Sequence, residues 1–98
     1  MKINWSKKSL DDYENILDYL VLQRSKKEFK SLTEGVEKAL EHIAKKPSLY
    51  PIVDLKVQEV RKAVITKRTS MFYKSDQGAI EILAFFDTRQ DPDKLTIS

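Results

Sequence analysis

Two apolar stripes with almost nothing between them constrain this chain more than any other feature. Leu10, Tyr13, Ile16, Leu17, Leu20 and Val21 recur at the spacing of one helix face, and Phe29, Leu32, Val36, Ala39, Leu40 and Ile43 repeat that spacing directly afterwards. Ser6 stands where a hydroxyl can satisfy a free backbone N–H, so the first helix is predicted over residues 7–23. Ser25 and Glu28 have the spacing of a capping box, which opens the second helix. Lys45-Lys46-Pro47 closes it: basic side chains suit a helix C-terminus, and proline cannot continue the turn. A link of about two residues folds such helices into an antiparallel hairpin. Each helix is apolar on one face only, so the hairpin needs a surface to cover. Gly35, inside the second stripe, costs up to ~1 kcal/mol against alanine, and a close helix–helix approach is the expected reason.

The remaining segments supply that surface. Ile3 and Trp5 alternate with Lys2 and Asn4, a short strand. Ser48 to Pro51 reads as a proline-bracketed loop, and Asp54 to Glu59 as loop leading into a strand. Strands are predicted over residues 60–66, 71–74 and 79–87, with Asp76-Gln77-Gly78 as a hairpin turn. The last strand is apolar on both faces except at Glu81, which places it inside its sheet. The order is β-α-α-β-β-β. This is an α+β fold with a helical hairpin packed on a small, mainly antiparallel sheet, one domain over residues 1–98.

Composition narrows the chemistry. The chain has no cysteine, so disulfides and thiolate sites are excluded. Its two glycines, Gly35 and Gly78, are too far apart for a phosphate-cradling loop, and no ligand cluster has metal spacing. No cofactor or metal is expected. Nothing approaches the ~20 apolar residues of a membrane span, and the N-terminal MKINWSKKS lacks a leader's apolar stretch. A cytoplasmic protein without a membrane partner is the expectation. The net charge of +3 favours polyanions or an acidic partner.

Cations gather in the C-terminal half. Arg61, Lys62, Lys67, Arg68, Lys74 and Arg89 lie on or beside the strand meander. With helices on one face, the other face is expected to present them as a basic patch for phosphate or carboxylates. Arg61 and Arg89 are the foremost candidates for partner contact, because arginine at a strand end makes a planar anion clamp. His42 has no second histidine, and the pairs Asp11-Asp12 and Glu37-Glu41 read as helix-surface charge. Trp5, Tyr13 and Tyr73 read as core.

Four stretches in order, INWSKKSLDDYENILDYL, EHIAKKPSLYP, VRKAVITKRTSMFYK and IEILAFFDTRQDP, resemble the RelE/ParE superfamily of bacterial toxins, and its plasmid-stabilization, ParE-like branch most. The resemblance spans Ile3 to Leu95. It implies the toxin of a type II toxin–antitoxin system, held inactive in a hetero-oligomer by a cognate antitoxin. In the ParE-like branch the implied activity is inhibition of DNA gyrase by binding. In the RelE-like branch it is cleavage of mRNA on the ribosome, for which Arg61, Arg68 and Arg89 are the catalytic candidates. A basic binding module of the same fold without toxicity is a further alternative. The RelE pattern has an arginine three residues before the third-strand tyrosine, where this chain has Ser70. It has a tyrosine six residues after the last-strand arginine, where this chain has Leu95. RNA cleavage through the 2′-hydroxyl needs proton transfer as well as cations at the phosphate, so these departures favour the gyrase reading.

Overall fold

A computed structural model describes residues 2–55 and 59–89. The elements run β1 (Lys2–Trp5), α1 (Lys7–Leu22), α2 (Lys26–Lys45), β2 (Ile52–Asp54), β3 (Val60–Val64), β4 (Thr69–Asp76) and β5 (Ala79–Asp87). The α+β order is as the sequence predicts, with β2 added as a three-residue edge strand. The five strands lie in the order β1-β5-β4-β3-β2, with β1 parallel to β5 and the other pairings antiparallel. The two-sided apolar strand β5 is therefore interior, between β1 and β4. No helix among the described residues is long and apolar enough to cross a membrane.

Local chemistry accounts for the boundaries. Ser6 caps α1: its hydroxyl accepts from the Ser9 N–H at 3.0 Å. The β4–β5 turn places both Gln77 (φ 49) and Gly78 (φ 79) at positive φ, the type I′ geometry that suits the twist of a two-residue hairpin. At α2 the capping-box expectation is corrected. Ser25 makes no side-chain cap bond, and the Glu28 carboxylate is taken instead by Arg89.

The main core lies between the hairpin and one face of the sheet. Ile16 and Leu20 of α1, and Leu32, Val36, Ala39 and Ile43 of α2, pack over Ala63, Met71, Tyr73, Ile80, Ile82 and Phe85. Trp5, Tyr13 and Phe85 stack beside it with centroids 5.0–5.5 Å apart. Leu10 and Val21 belong to the α1 stripe by spacing but are exposed in the structure. Gly35 faces the sheet rather than α1: a Cβ there would meet Ile65 Cγ2 at 2.7 Å. The close approach, expected between the two helices, is thus between α2 and the residue just past β3.

One irregularity joins α1 to β5. Phe72 pairs with Ala84 and Tyr73 with Ile82, so Leu83 is an extra residue in the ladder. Residues of α1 and its cap satisfy the backbone there. Ser6 donates its N–H to Ile82 O (3.0 Å) and its hydroxyl to Leu83 O (3.1 Å), and Asp12 Oδ2 accepts from the Phe85 N–H (3.1 Å). Asp12 is therefore a bulge anchor, beyond the helix-surface charge that its sequence position suggests.

Candidate functional site

The strand exit of β5 carries Arg89, whose guanidinium makes three hydrogen bonds to two carboxylates. Nε donates to Asp87 Oδ1 at 2.7 Å, Nη2 to Asp87 Oδ2 at 2.6 Å and Nη1 to Glu28 Oε2 at 3.2 Å. The Arg89 backbone N–H donates to Asp87 Oδ1 as well, at 2.9 Å. Its Cζ lies 4.9 Å from the centroid of the Tyr19 ring, within cation–π range. Thr69, at the start of β4, donates its hydroxyl to Asp87 Oδ2 at 3.0 Å. The cluster ties the ends of β4 and β5 to both helices.

Electrostatics agree with the geometry. Burial pushes the Asp87 carboxyl up, but the hydrogen bonds from Arg89 and Thr69 and the guanidinium charge outweigh it and hold the carboxyl below its ordinary value. Arg89 is pushed up, first by its hydrogen bond to Asp87 and further by the charges of Asp87 and Glu28.

Arg61 is also engaged. It pairs across the ladder with Tyr73 and so lies on the helix side of the sheet. Its Nη1 donates to Tyr50 O at 2.7 Å and Ser48 O at 3.2 Å, and its Nη2 to Glu59 Oε2 at 3.3 Å. Tyr73 donates its hydroxyl to Pro47 O at 2.8 Å, and its ring meets Tyr50 edge-on at 6.3 Å. Burial, first among several influences, pushes the Tyr73 phenol up. Together Arg61 and Tyr73 bind down the segment that leads from α2 to β2.

The expected basic patch is therefore corrected. Arg61 and Arg89 both lie on the helix side, bonded internally. The opposite face carries a second apolar cluster, Val60, Phe72, Leu83 and Ala84 with Phe86 packed against it. Alternation places Lys62 and Lys74 on that face, where Lys74 pairs with Glu81 at 3.9 Å.

Positive charge concentrates elsewhere. A groove of about 440 Å³ lies between the start of α2 and the β3–β4 turn, lined by Lys27, Glu28, Ser31, Thr66, Lys67 and Arg68. Thr66 Oγ1 shapes the turn by accepting from the Arg68 and Thr69 N–H groups at 3.2 and 3.1 Å. The Arg68 carbonyl accepts from the Thr88 N–H at 2.7 Å, which brings the turn to the exit of β5. The fold thus brings Lys67, Arg68 and Arg89 to one end of the sheet and leaves Arg61, Lys62 and Lys74 apart from them. Lys27 is the residue that sequence reasoning missed. Its signal is electrostatic: Lys26 and Lys27 open α2, where the macrodipole disfavours cations.

This architecture, a helical hairpin on a mixed sheet, is the fold of RelE/ParE-like toxin structures. A family model described as the ParE toxin of the type II toxin–antitoxin system parDE matches residues 3–92. The chain belongs to that family. Solved structures agree in fold. A chromosomal ParDE system from P. aeruginosa superposes with TM-score 0.69 at 16% identity, over 89% of this chain and 95% of that one. The YoeB/ParE toxin from Agrobacterium tumefaciens gives 0.64 at 19% identity, over 89% and 98%. The YoeB dimer from Staphylococcus aureus gives 0.63 at 16% identity, over 88% and 94%. A comparison with curated proteins finds no significant match in sequence.

Proposed function

We propose that the chain is the toxin of a type II toxin–antitoxin pair, that a cognate antitoxin neutralises it, and that it acts by binding DNA gyrase. The observation that carries this reading is the ParE family match across residues 3–92. The site chemistry adds support. Cleavage of RNA needs a group free to take or give a proton and cations free to meet a phosphate. Tyr73 is buried, with its hydroxyl given to Pro47 and its phenol pushed up, which makes it a poor base. Arg61 spends its guanidinium on loop carbonyls and Glu59, and Arg89 spends its own on Asp87 and Glu28. Of the six cations read from the sequence, Lys62, Lys67 and Arg68 have no side-chain partner among the described residues.

Purified toxin, added to gyrase and relaxed plasmid, is expected to stop supercoiling, and the antitoxin is expected to restore it. Run in parallel, a translation extract is expected to keep its message intact. Cleavage of message between codons, with supercoiling untouched, replaces this reading with the ribonuclease one.

A further inference from the structure

In the groove between α2 and the β3–β4 turn, Glu28 and Thr66 hold structure in place, but the three cations of the lining do not. Among the described residues, the ammonium groups of Lys27 and Lys67 and the guanidinium of Arg68 have no hydrogen-bond or ion-pair partner. Glu28 is the one carboxylate in the lining, and it already accepts from Arg89. The wall is therefore positive and rich in donors, while its one anion is spoken for. Like charges held together repel, and Lys27, in the first turn of α2, sits against its own helix macrodipole. Such an arrangement calls for an anion from outside.

All six lining residues are polar or charged. A docked peptide draws most of its affinity from apolar anchors in desolvated pockets, and this groove offers no wall for one. Lysine serves as a point-charge contact to phosphate, whereas carboxylate recognition favours paired arginine forks. The hydroxyls of Ser31 and Thr66 are of the kind that add hydrogen bonds to phosphate oxygens. We propose that this groove binds the phosphodiester backbone of a nucleic acid, through Lys27, Lys67 and Arg68 and without reading bases. The proposal is independent of the toxin's target, because the binding needs neither gyrase nor ribosome.

The test uses the full chain and fluorescence anisotropy. Labelled duplex DNA and single-stranded RNA of equal length are titrated across a salt series. Lys27→Ala/Lys67→Ala/Arg68→Ala is compared with a charge-matched control, Lys2→Ala/Lys38→Ala/Lys45→Ala. Both variants are first shown by thermal melts to fold as the parent does. The groove variant is expected to lose about tenfold in affinity and to flatten the salt dependence on duplex by up to about 0.9 in log–log slope per phosphate contact removed. The control is expected to lose much less. Binding to duplex, to RNA or to both supports the proposal and identifies the source of the phosphate. It is overturned if neither nucleic acid binds, if both variants lose affinity equally, or if polyglutamate of matching charge binds as tightly as the nucleic acids.

Discussion

Arg89 and Arg68 meet the same residue, Glu28, in opposite ways. Arg89 bonds its carboxylate and, through Asp87, becomes part of the wall that joins two strand ends to two helices. Arg68 shares only a groove with Glu28, and its guanidinium has no partner among the described residues. The two arginines are 21 positions apart in sequence but adjacent in the fold, since Thr88 donates its N–H to the Arg68 carbonyl. The difference lies in whether a carboxylate has already met the charge. A satisfied arginine is architecture, and an unsatisfied one is surface chemistry. That contrast is open to direct attack.

The largest effect is expected from Asp87→Ala. It removes the buried acceptor of the half-buried Arg89 fork and of the Thr69 hydroxyl, a loss expected to cost about 2 kcal/mol or more. Urea denaturation measures this, and a loss below about 1 kcal/mol would mean that the cluster is no more than a surface pair.

Acid titrates the same contrast. The Asp87 carboxyl is held below its ordinary value in the folded state, so its contribution is complete above the unfolded value of about 4 and fades as pH falls through the lower folded value. Asp87→Asn is expected to flatten the acid limb of a stability–pH profile relative to the parent. Parallel limbs would assign acid sensitivity to other carboxyls.

Two smaller losses are expected on the helix side of the sheet. Tyr73→Phe removes the donor to Pro47 O and is expected to cost about 1 kcal/mol. Gly35→Ala gains helix propensity but drives a Cβ toward the branch methyl of Ile65, and overpacking of about 1–3 kcal/mol outweighs the gain. Adding Ile65→Ala removes that methyl, so the double variant should lose less than the two single losses combined. Simple additivity would place the strain elsewhere.

The smallest stability change is expected at the groove. Lys67→Ala and Arg68→Ala should each stay within about 0.5 kcal/mol of the parent, because their side chains have no hydrogen-bond or ion-pair partner among the described residues. A loss comparable with that of Asp87→Ala would erase the distinction between the two arginines.

Much of the fold was legible from pattern. The α1 and α2 periodicities, the Ser6 cap, the positive-φ turn at Gln77-Gly78 and the interior position of β5 all rest on short-range rules that a linear chain displays. β2 was hidden because three residues are too few to show a period, and only its pairing with β3 makes it a strand. The site was less legible. Alternation gives Arg61 a face, but only the packed hairpin shows that this face is covered. Glu28 carries the signature of a helix cap, yet Arg89, 61 positions away, takes its carboxylate.

The amino-acid sequence alone determined the elements, their order and the sign of the charge, because periodicity, capping and composition act within a few residues. Tertiary structure alone decided which cations are paired and which are not among the described residues. Charge pairing depends on distance in space, and packing brought Asp87 and Glu28 to Arg89 while leaving Lys27, Lys67 and Arg68 around an open groove.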